Sequence, residues 1–427
     1  MFYLAYNLLS IFILIPVVCY HLYRSISRGR PAALAERFGF IPEAELSGIR
    51  NRPVIWLHAV SVGEAIAARP LLKSLRSSYP GHAILLSTTT ETGRGVASGF
   101  PEKDLCIYFP FDFLPSVCRT LDSIRPKAVI IMETEIWPNF IREASRRSIP
   151  IILANGRISD RSYARYLRFS WFFRHALQLF SRLCMQTDTD CERIIAIGAP
   201  PLHTVKAGNL KYDIPSRRMD EEGKRRLKGR YSIPEGLLVL TAGSTHAGEE
   251  QYLIDTYREM LTISSGLFLL LVPRHPERAT EVASLLDRSG LPYRRRTSLS
   301  SQVRLNQGEV LLVDTVGEMM DLYAVADIAF VGGSLVPTGG HNLLEPASFG
   351  VPTVFGPHMT NFREIADLVL HYGSGIQIQD PGDLTESFRT LITSAELRRV
   401  LGQNGLKLMR DNGGATKRHM EILAHYL

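Results

Sequence analysis

The sequence predicts an α/β protein of two doubly wound, Rossmann-like domains behind an N-terminal membrane-anchor helix. Three observations carry that expectation. The chain opens on "FYLAYNLLSIFILIPVVCYHLY", about 22 largely apolar residues, enough to cross a ~30 Å hydrocarbon layer at 1.5 Å per residue. Strand-like apolar runs then alternate with amphipathic helical stretches, as a parallel sheet with helical crossovers requires. The alternation stops near Asp213, a polar basic segment intervenes, and the rhythm restarts.

At 427 residues the chain exceeds one ordinary core, and two domains of roughly 150 to 200 residues are expected. Hydrophobic content of 45% with 21% charge is globular and excludes wholesale disorder or a polytopic membrane protein. Five cysteines with no CxxC pair argue against a disulfide framework or a zinc cluster. A net charge of +7 implies an anionic partner, whether nucleic acid, membrane surface or phosphorylated substrate. Residues 1–30 read as anchor and basic flank. No acid interrupts the apolar run, and Arg24, Arg28 and Arg30 follow it, so the positive-inside rule places the remainder in the cytosol. A cleaved signal peptide is the rival reading, against which stand the missing basic n-region and the length of the run.

The first domain, 31–213, has strand candidates "VIWLHAV", "AILLSTT", "AVIIM", "PIILAN" and "LCMQT". The second, 214–410, has "LLVLTAGS", "LFLLLVP", "EVLLVD", "IAFVGGS" and "PTVFG". In such sheets ligands gather beyond the carboxyl ends of the strands, so the loops there hold the candidates. After the first strand, "SVGE" places Glu64 in a first helical turn. A carboxylate is favoured there by the helix dipole alone; facing a cleft between the domains, it could instead accept a proton from an attacking hydroxyl. "METEIWPN" crowds Glu133 and Glu135 after a buried strand, where one acid faces the cleft, or holds a local cation, or caps the helix opening near Trp137 and Pro138. "AGNLKYD" offers Lys211, either a solvated surface lysine or a partner for carboxylate or phosphate.

In the second half, "LVPRHPER" places Arg274, a planar fork for phosphate oxygens, after Pro273 and beside His275. "DTVGEMMD" opens a helix near Gly317, with free N–H groups. "FVGGSLVPTGGHNLLEPASFG" runs a strand into Gly332-Gly333, then Gly339-Gly340, then a short helix for which Asn342 is the capping candidate and Glu345 lies one turn in. Such a glycine-rich turn lets backbone approach a phosphate. Neither a Walker sequence nor GxGxxG occurs, so ATP hydrolysis and dinucleotide binding lose support. "TDTDCE" has a metal-like Asp188-x-Asp190 spacing, but Asp at a helix entry is an ordinary cap. The basic runs at 217–230 and 294–296 read as solvated surface, without the aromatic interleaving that nucleic-acid binding uses.

Taken together, "HAVSVGE", "METEIWPN", "GNLKYD", "PRHPER", "VGEM" and "GGHNLLEP", behind a short anchor, closely resemble the Kdo transferases of Gram-negative bacteria, in order and over essentially the whole chain. The resemblance implies a GT-B architecture, an acceptor domain facing a nucleotide-sugar domain, with no metal or cofactor and with residues 411–427 as a closing helix that returns to the first domain. It implies transfer of 3-deoxy-D-manno-octulosonic acid (Kdo) from CMP-Kdo to a lipid A precursor at the cytoplasmic face of the inner membrane. Glu64 falls on the family's general base, and Glu133 and Lys211 on its transition-state stabilisers. CMP contacts fall on Pro273, Arg274, Gly317, Glu318, Met319, Asn342, Leu343, Leu344 and Glu345. The alternatives are a nucleotide-sugar epimerase of the same shape with no lipid acceptor, and a catalytically inert membrane scaffold.

Overall fold

The computed structural model describes residues 2–28, 32–213, 220–299 and 304–427. The chain divides into two compact units, Met1–Asp213 with Asn412–Leu427, and Ile214–Asp411. A helix from Phe2 to Arg28 opens the first, with Pro16 inside it. Its stretch Tyr3–Ser27 has a mean hydropathy of 1.9 and is long and apolar enough to cross a membrane. Leu4, Phe12, Ile15 and Tyr23 are exposed on it, while the Tyr6 hydroxyl donates to Asp112 Oδ2 at 2.7 Å. Arg30, counted in the basic flank, lies outside the described residues.

The first unit holds a seven-stranded sheet: β1 (Val54–His58), β2 (Ala83–Thr88), β3 (Leu105–Tyr108), β4 (Ala128–Met132), β5 (Ile151–Gly156), β6 (Arg182–Met185) and β7 (Thr204–Lys206), in the order β3-β2-β1-β4-β5-β6-β7. The second holds β8 (Leu238–Thr245), β9 (Leu267–Pro273), β10 (Tyr293–Arg295), β11 (Val310–Leu312), β12 (Ile328–Val331), β13 (Thr353–Phe355) and β14 (Gly375–Gln377), in the order β10-β11-β9-β8-β12-β13-β14. Neighbouring strands run parallel in both. Helices cover both faces of a parallel sheet, so a central strand is apolar on both sides. Accordingly every residue of β1 and of β4 is buried. Trp56 and Ile131 pack on one face of the first sheet and Leu57 and Ile130 on the other.

Each sheet reverses direction once, between β1 and β4 in the first unit and between β8 and β12 in the second. At such a switch point the loops leaving the two strands diverge, and a crevice is left at their carboxyl ends. The polar, basic stretch read as a linker is only partly one. Glu221–Arg230 is a helix capped by Asp220, held to the second unit by Lys224–Asp327 at 3.0 Å and Arg230–Asp321 at 3.1 Å. Arg217 and Arg218 lie outside the described residues.

Candidate functional site

At the first switch point the chain leaves β1 and enters the helix Val62–Ser78. Its N-cap is Ser61, whose hydroxyl accepts from the Glu64 N–H. The Glu64 carboxylate turns back over the helix start, taking the Val60 N–H at 2.8 Å and the Ser61 hydroxyl at 3.3 Å. This is close to a capping box, in which a third-position acid bonds backwards to orphan amides. The same fold of the side chain leaves it only 8% exposed. Burial pushes its carboxyl up to about 8, the negative charge of Glu133 adds to the rise, and the Val60 hydrogen bond opposes it.

Glu133 follows β4, the other strand of the switch. β4 stops at Met132 and Glu133 sits at φ 54, a left-handed backbone that a non-glycine residue rarely adopts. The strand does not continue through Glu133 and Glu135, so extended alternation does not set how the two acids are aimed. Both acids nonetheless act on Glu64 electrostatically. Burial, then the charge of Glu133, raises Glu135 to about 7. Lys211, in the turn Leu210–Tyr212 after β7, brings its ammonium to 4.0 Å from Glu133 Oε1. The structure thus brings Glu64, Glu133, Glu135 and Lys211 together at one end of one sheet, from three separate loops.

The Lys211 loop is fixed by Asn209, within the quoted motif, and by residues that the sequence did not advertise, Gln186, Asn155 and His419. Asn209 Oδ1 accepts the Lys211 N–H at 2.9 Å, and Asn209 Nδ2 donates to Gln186 at 3.0 Å. Gln186 donates to the Asn155 carbonyl at 3.0 Å, and the Asn155 side chain accepts the Leu210 N–H at 2.9 Å. The Asn155 N–H donates to His419 Nε2 at 3.1 Å, and His419 Nδ1 lies 2.7 Å from the Ala415 carbonyl. Since Nε2 receives a hydrogen bond, the proton must sit on Nδ1, and burial drives the ring's pKa down to about 4, which keeps it neutral. The terminal helix Ala415–Leu423 also grips the loop through Arg418 Nε, which donates to the Ala207 carbonyl at 2.8 Å, and through Asp213, which accepts from Gly414 N at 2.6 Å.

The second switch point is built of different groups. Glu249, fully buried, accepts the backbone N–H groups of Gly333 at 2.7 Å, Ser334 at 3.0 Å, Leu335 at 2.9 Å and His246 at 2.8 Å. One carboxylate thereby ties the loop after β12 to the loop after β8. Its signal lay in "THAGEE", the same strand, turn and first-turn glutamate pattern as "SVGE". The glycines that follow β12 mainly admit protein atoms. A Cβ on Gly332 would lie 2.4 Å from the Ser244 carbonyl oxygen, and one on Gly340 2.3 Å from the Met359 sulfur. Close packing within the protein is thus by itself a reason for glycine at these positions.

Arg274 leaves the end of β9 exposed, next to Pro273 at the strand's last position. Asn342 is not the helix N-cap, which is Leu343; the helix is the single turn Leu344–Ala347, and Glu345 is the acid of its first turn. Asn342 instead closes a local turn by accepting the Leu344 N–H at 3.1 Å. Leu343 and Leu344 are fully buried. Burial lifts the Glu345 carboxyl to about 7, against the pull of Arg274. Gly317, at φ 92, precedes Glu318, the N-cap of the helix Met319–Val325. The Glu318 carboxylate takes Arg296 at 3.1 Å, the Tyr231 hydroxyl at 3.3 Å and the Thr315 hydroxyl. Burial opposes its ionisation, but those bonds outweigh it and hold its pKa low. Arg296, read as solvated surface, is thus a structural partner of Glu318.

Asp190 accepts the Ile158 N–H at 2.7 Å and Asp188 pairs with Lys206 at 2.6 Å. Among the described residues no group of three or more His, Cys, Asp or Glu could hold a metal ion.

The family model for 3-deoxy-D-manno-octulosonic-acid transferase (kdotransferase) matches residues 32–214. A Haemophilus influenzae 3-deoxy-D-manno-octulosonic acid transferase is 36% identical over 92% of this chain and 91% of its own. One from Bordetella pertussis is 32% identical over 87% of each. The structure is also similar to that of a UDP-GlcNAc 2-epimerase from Neisseria meningitidis, with TM-score 0.56 and 14% identity over 87% of this chain and 100% of that one. At that identity the likeness is one of fold, the GT-B arrangement of two Rossmann-like domains.

Proposed function

The chain belongs to the 3-deoxy-D-manno-octulosonic acid transferase family, and from that premise we propose that it moves Kdo from CMP-Kdo to a sugar hydroxyl of a lipid A precursor, inverting the anomeric configuration. The observation that carries this reading is the convergence of Glu64, Glu133 and Lys211 at the first switch point. Glu64 accepts the proton of the acceptor hydroxyl as that oxygen attacks the anomeric carbon. The bond from that carbon to the CMP phosphate breaks with its electron pair going to CMP. A carboxyl held near 8 is a stronger base than an ordinary glutamate, and only its ionised fraction works. Lys211, steadied by Glu133, offsets negative charge developing on the leaving phosphate.

The second unit binds the donor through Arg274, the Gly317–Met319 backbone and the Asn342–Glu345 turn. Glu345 suits ribose hydroxyls, and the Pro273, Leu343 and Leu344 backbone lines the same loops. No metal or cofactor is needed, because the anomeric bond of a CMP-activated ulosonic acid is labile and the missing ingredient is the nucleophile. The helix Tyr3–Ser27 anchors the protein as a single pass with both units on the cytoplasmic side, where Arg24 near its end and Arg28 and Arg30 after it in the sequence suit an anionic lipid acceptor.

The test is direct. Purified protein, CMP-Kdo and a tetraacylated disaccharide lipid A precursor should yield a product heavier by Kdo residues in mass spectrometry, with the new anomeric centre inverted by NMR. Hydrolysis of CMP-Kdo without lipid modification would refute the acceptor, and a retained configuration would refute the single displacement.

A further inference from the structure

The loops after β8, β9 and β12 bring three imidazoles and a guanidinium together, none of the imidazoles with a role in the reading above. His246 and His341 stack, with ring centroids 5.2 Å apart and planes 14° from parallel. Their Nε2 atoms are 2.9 Å apart. Two facing Nε2 atoms at that distance hold one proton between them, since two N–H groups would collide and two lone pairs would repel. His275 meets the His246 ring edge-on at 5.9 Å. Gly333 makes room for the pair: a Cβ there would come within 3.1 Å of the His341 ring.

The pair has little counter-charge: Glu250 acts on His246, and no acid acts on His341. The groups that act electrostatically on His341 are His246, Arg274 and His275, all of them bases. Each carboxylate nearby is committed elsewhere. Glu249 is saturated by backbone N–H groups. Glu250 pairs with Arg278 at 2.7 Å and takes the Thr245 hydroxyl at 3.1 Å. Glu277 lies out by His275 at 3.4 Å and is largely exposed. Glu345 bonds to Asn342. Packing alone has no need of four nitrogen bases at a sheet's switch point, and a cluster of bases whose neighbouring acids are already engaged is suited to receive an anion.

We propose that the His246–His341 pair, with Arg274, receives an anionic group of the sugar-nucleotide donor, a carboxylate or a phosphate oxygen, each imidazole donating one N–H to it. This rests on CMP-Kdo as the donor, which carries both groups. On binding, the proton shared within the pair turns to the ligand and a second is taken up or shared from solvent, so the anion displaces a hydrogen bond between two bases.

The experiment is steady-state kinetics with CMP-Kdo generated in situ, together with product inhibition by CMP, for wild type, H246A and H341A, each checked for folding by circular dichroism. If the pair holds the ulosonate carboxylate, the KM for CMP-Kdo rises about tenfold or more while the CMP inhibition constant stays put. If it holds the phosphate, both rise together. Either result supports the site, and unchanged constants in folded variants overturn it. Should an alanine variant fail to fold, H246Q and H341Q, which keep an amide in the ring's place, carry the same comparison. Wild-type protein that neither uses CMP-Kdo nor is inhibited by CMP would instead refute the donor reading, a distinct failure.

Discussion

The two switch points share a topology and oppose each other in charge. In the first unit three carboxylates, Glu64, Glu133 and Glu135, gather about one lysine. In the second, three histidines gather beside Arg274, which also acts on the buried acid Glu345. Sheet order decides where a crevice forms, and loop side chains decide what it can do. An acid-rich crevice stores basicity, because crowding and burial make each carboxylate reluctant to ionise. A base-rich one attracts phosphate and carboxylate. A transferase that must deprotonate an acceptor and grip an anionic donor needs one of each.

Breaking the acid-rich site should have the largest effect. E64Q keeps the shape and loses the base, so turnover should fall by roughly 10²–10⁴-fold with the KM for CMP-Kdo little changed. The same substitution removes a charge that folding disfavours. The Glu64 carboxyl is pushed up to about 8 when folded from an ordinary value of 4.5, so its ionisation costs stability as pH rises between those values. Thermal melts should show E64Q more stable than wild type at pH 8 and equal to it below the lower value. K211M should follow, costing on the order of 10²-fold in turnover through lost charge stabilisation.

The base-rich site should respond in binding rather than in turnover. Glu249 satisfies four backbone donors, and E249Q replaces half of its acceptor capacity with an amide. Leaving buried donors unpaired costs about 1–3 kcal/mol each, so calorimetry should find a lower melting temperature and weaker CMP affinity. The smallest effect belongs to the support of Lys211. H419A removes the acceptor of the Asn155 N–H, and turnover should drop less than in K211M, with donor KM unchanged. A K211M/H419A double variant no slower than K211M alone would show that His419 acts through the lysine.

How much of this was legible in the sequence differs between strand and loop. The ten strands that the apolar runs announced are the interior ones, buried on both faces. The four that went unread, β3, β7, β10 and β14, are the edges of the two sheets. β7, β10 and β14 are only partly buried, so they carry no continuous apolar run of the kind that marked equally short β11 and β13. Glu64 was legible because a glycine turn after a strong strand isolates it, and Glu249 had the same signature. His246 and His341 are 95 residues apart in the chain, and Asn155 and His419 are 264 apart. Their partnership depends on strand order and on the path of the last helix, which no local pattern encodes. The glycines of the β12 loop show the converse: the sequence marks close approach but not what approaches.

The central claim is that Glu64 is a base held reluctant by burial and by its acidic neighbours. The pH dependence of kcat/KM tests it most directly, since that quantity reports ionisations of the free enzyme. The activity of wild type should climb as pH rises through a limb near 8, and that limb should be absent from the residual activity of E64Q. A profile already flat from pH 6 upward, or a limb that survives in E64Q, would contradict it.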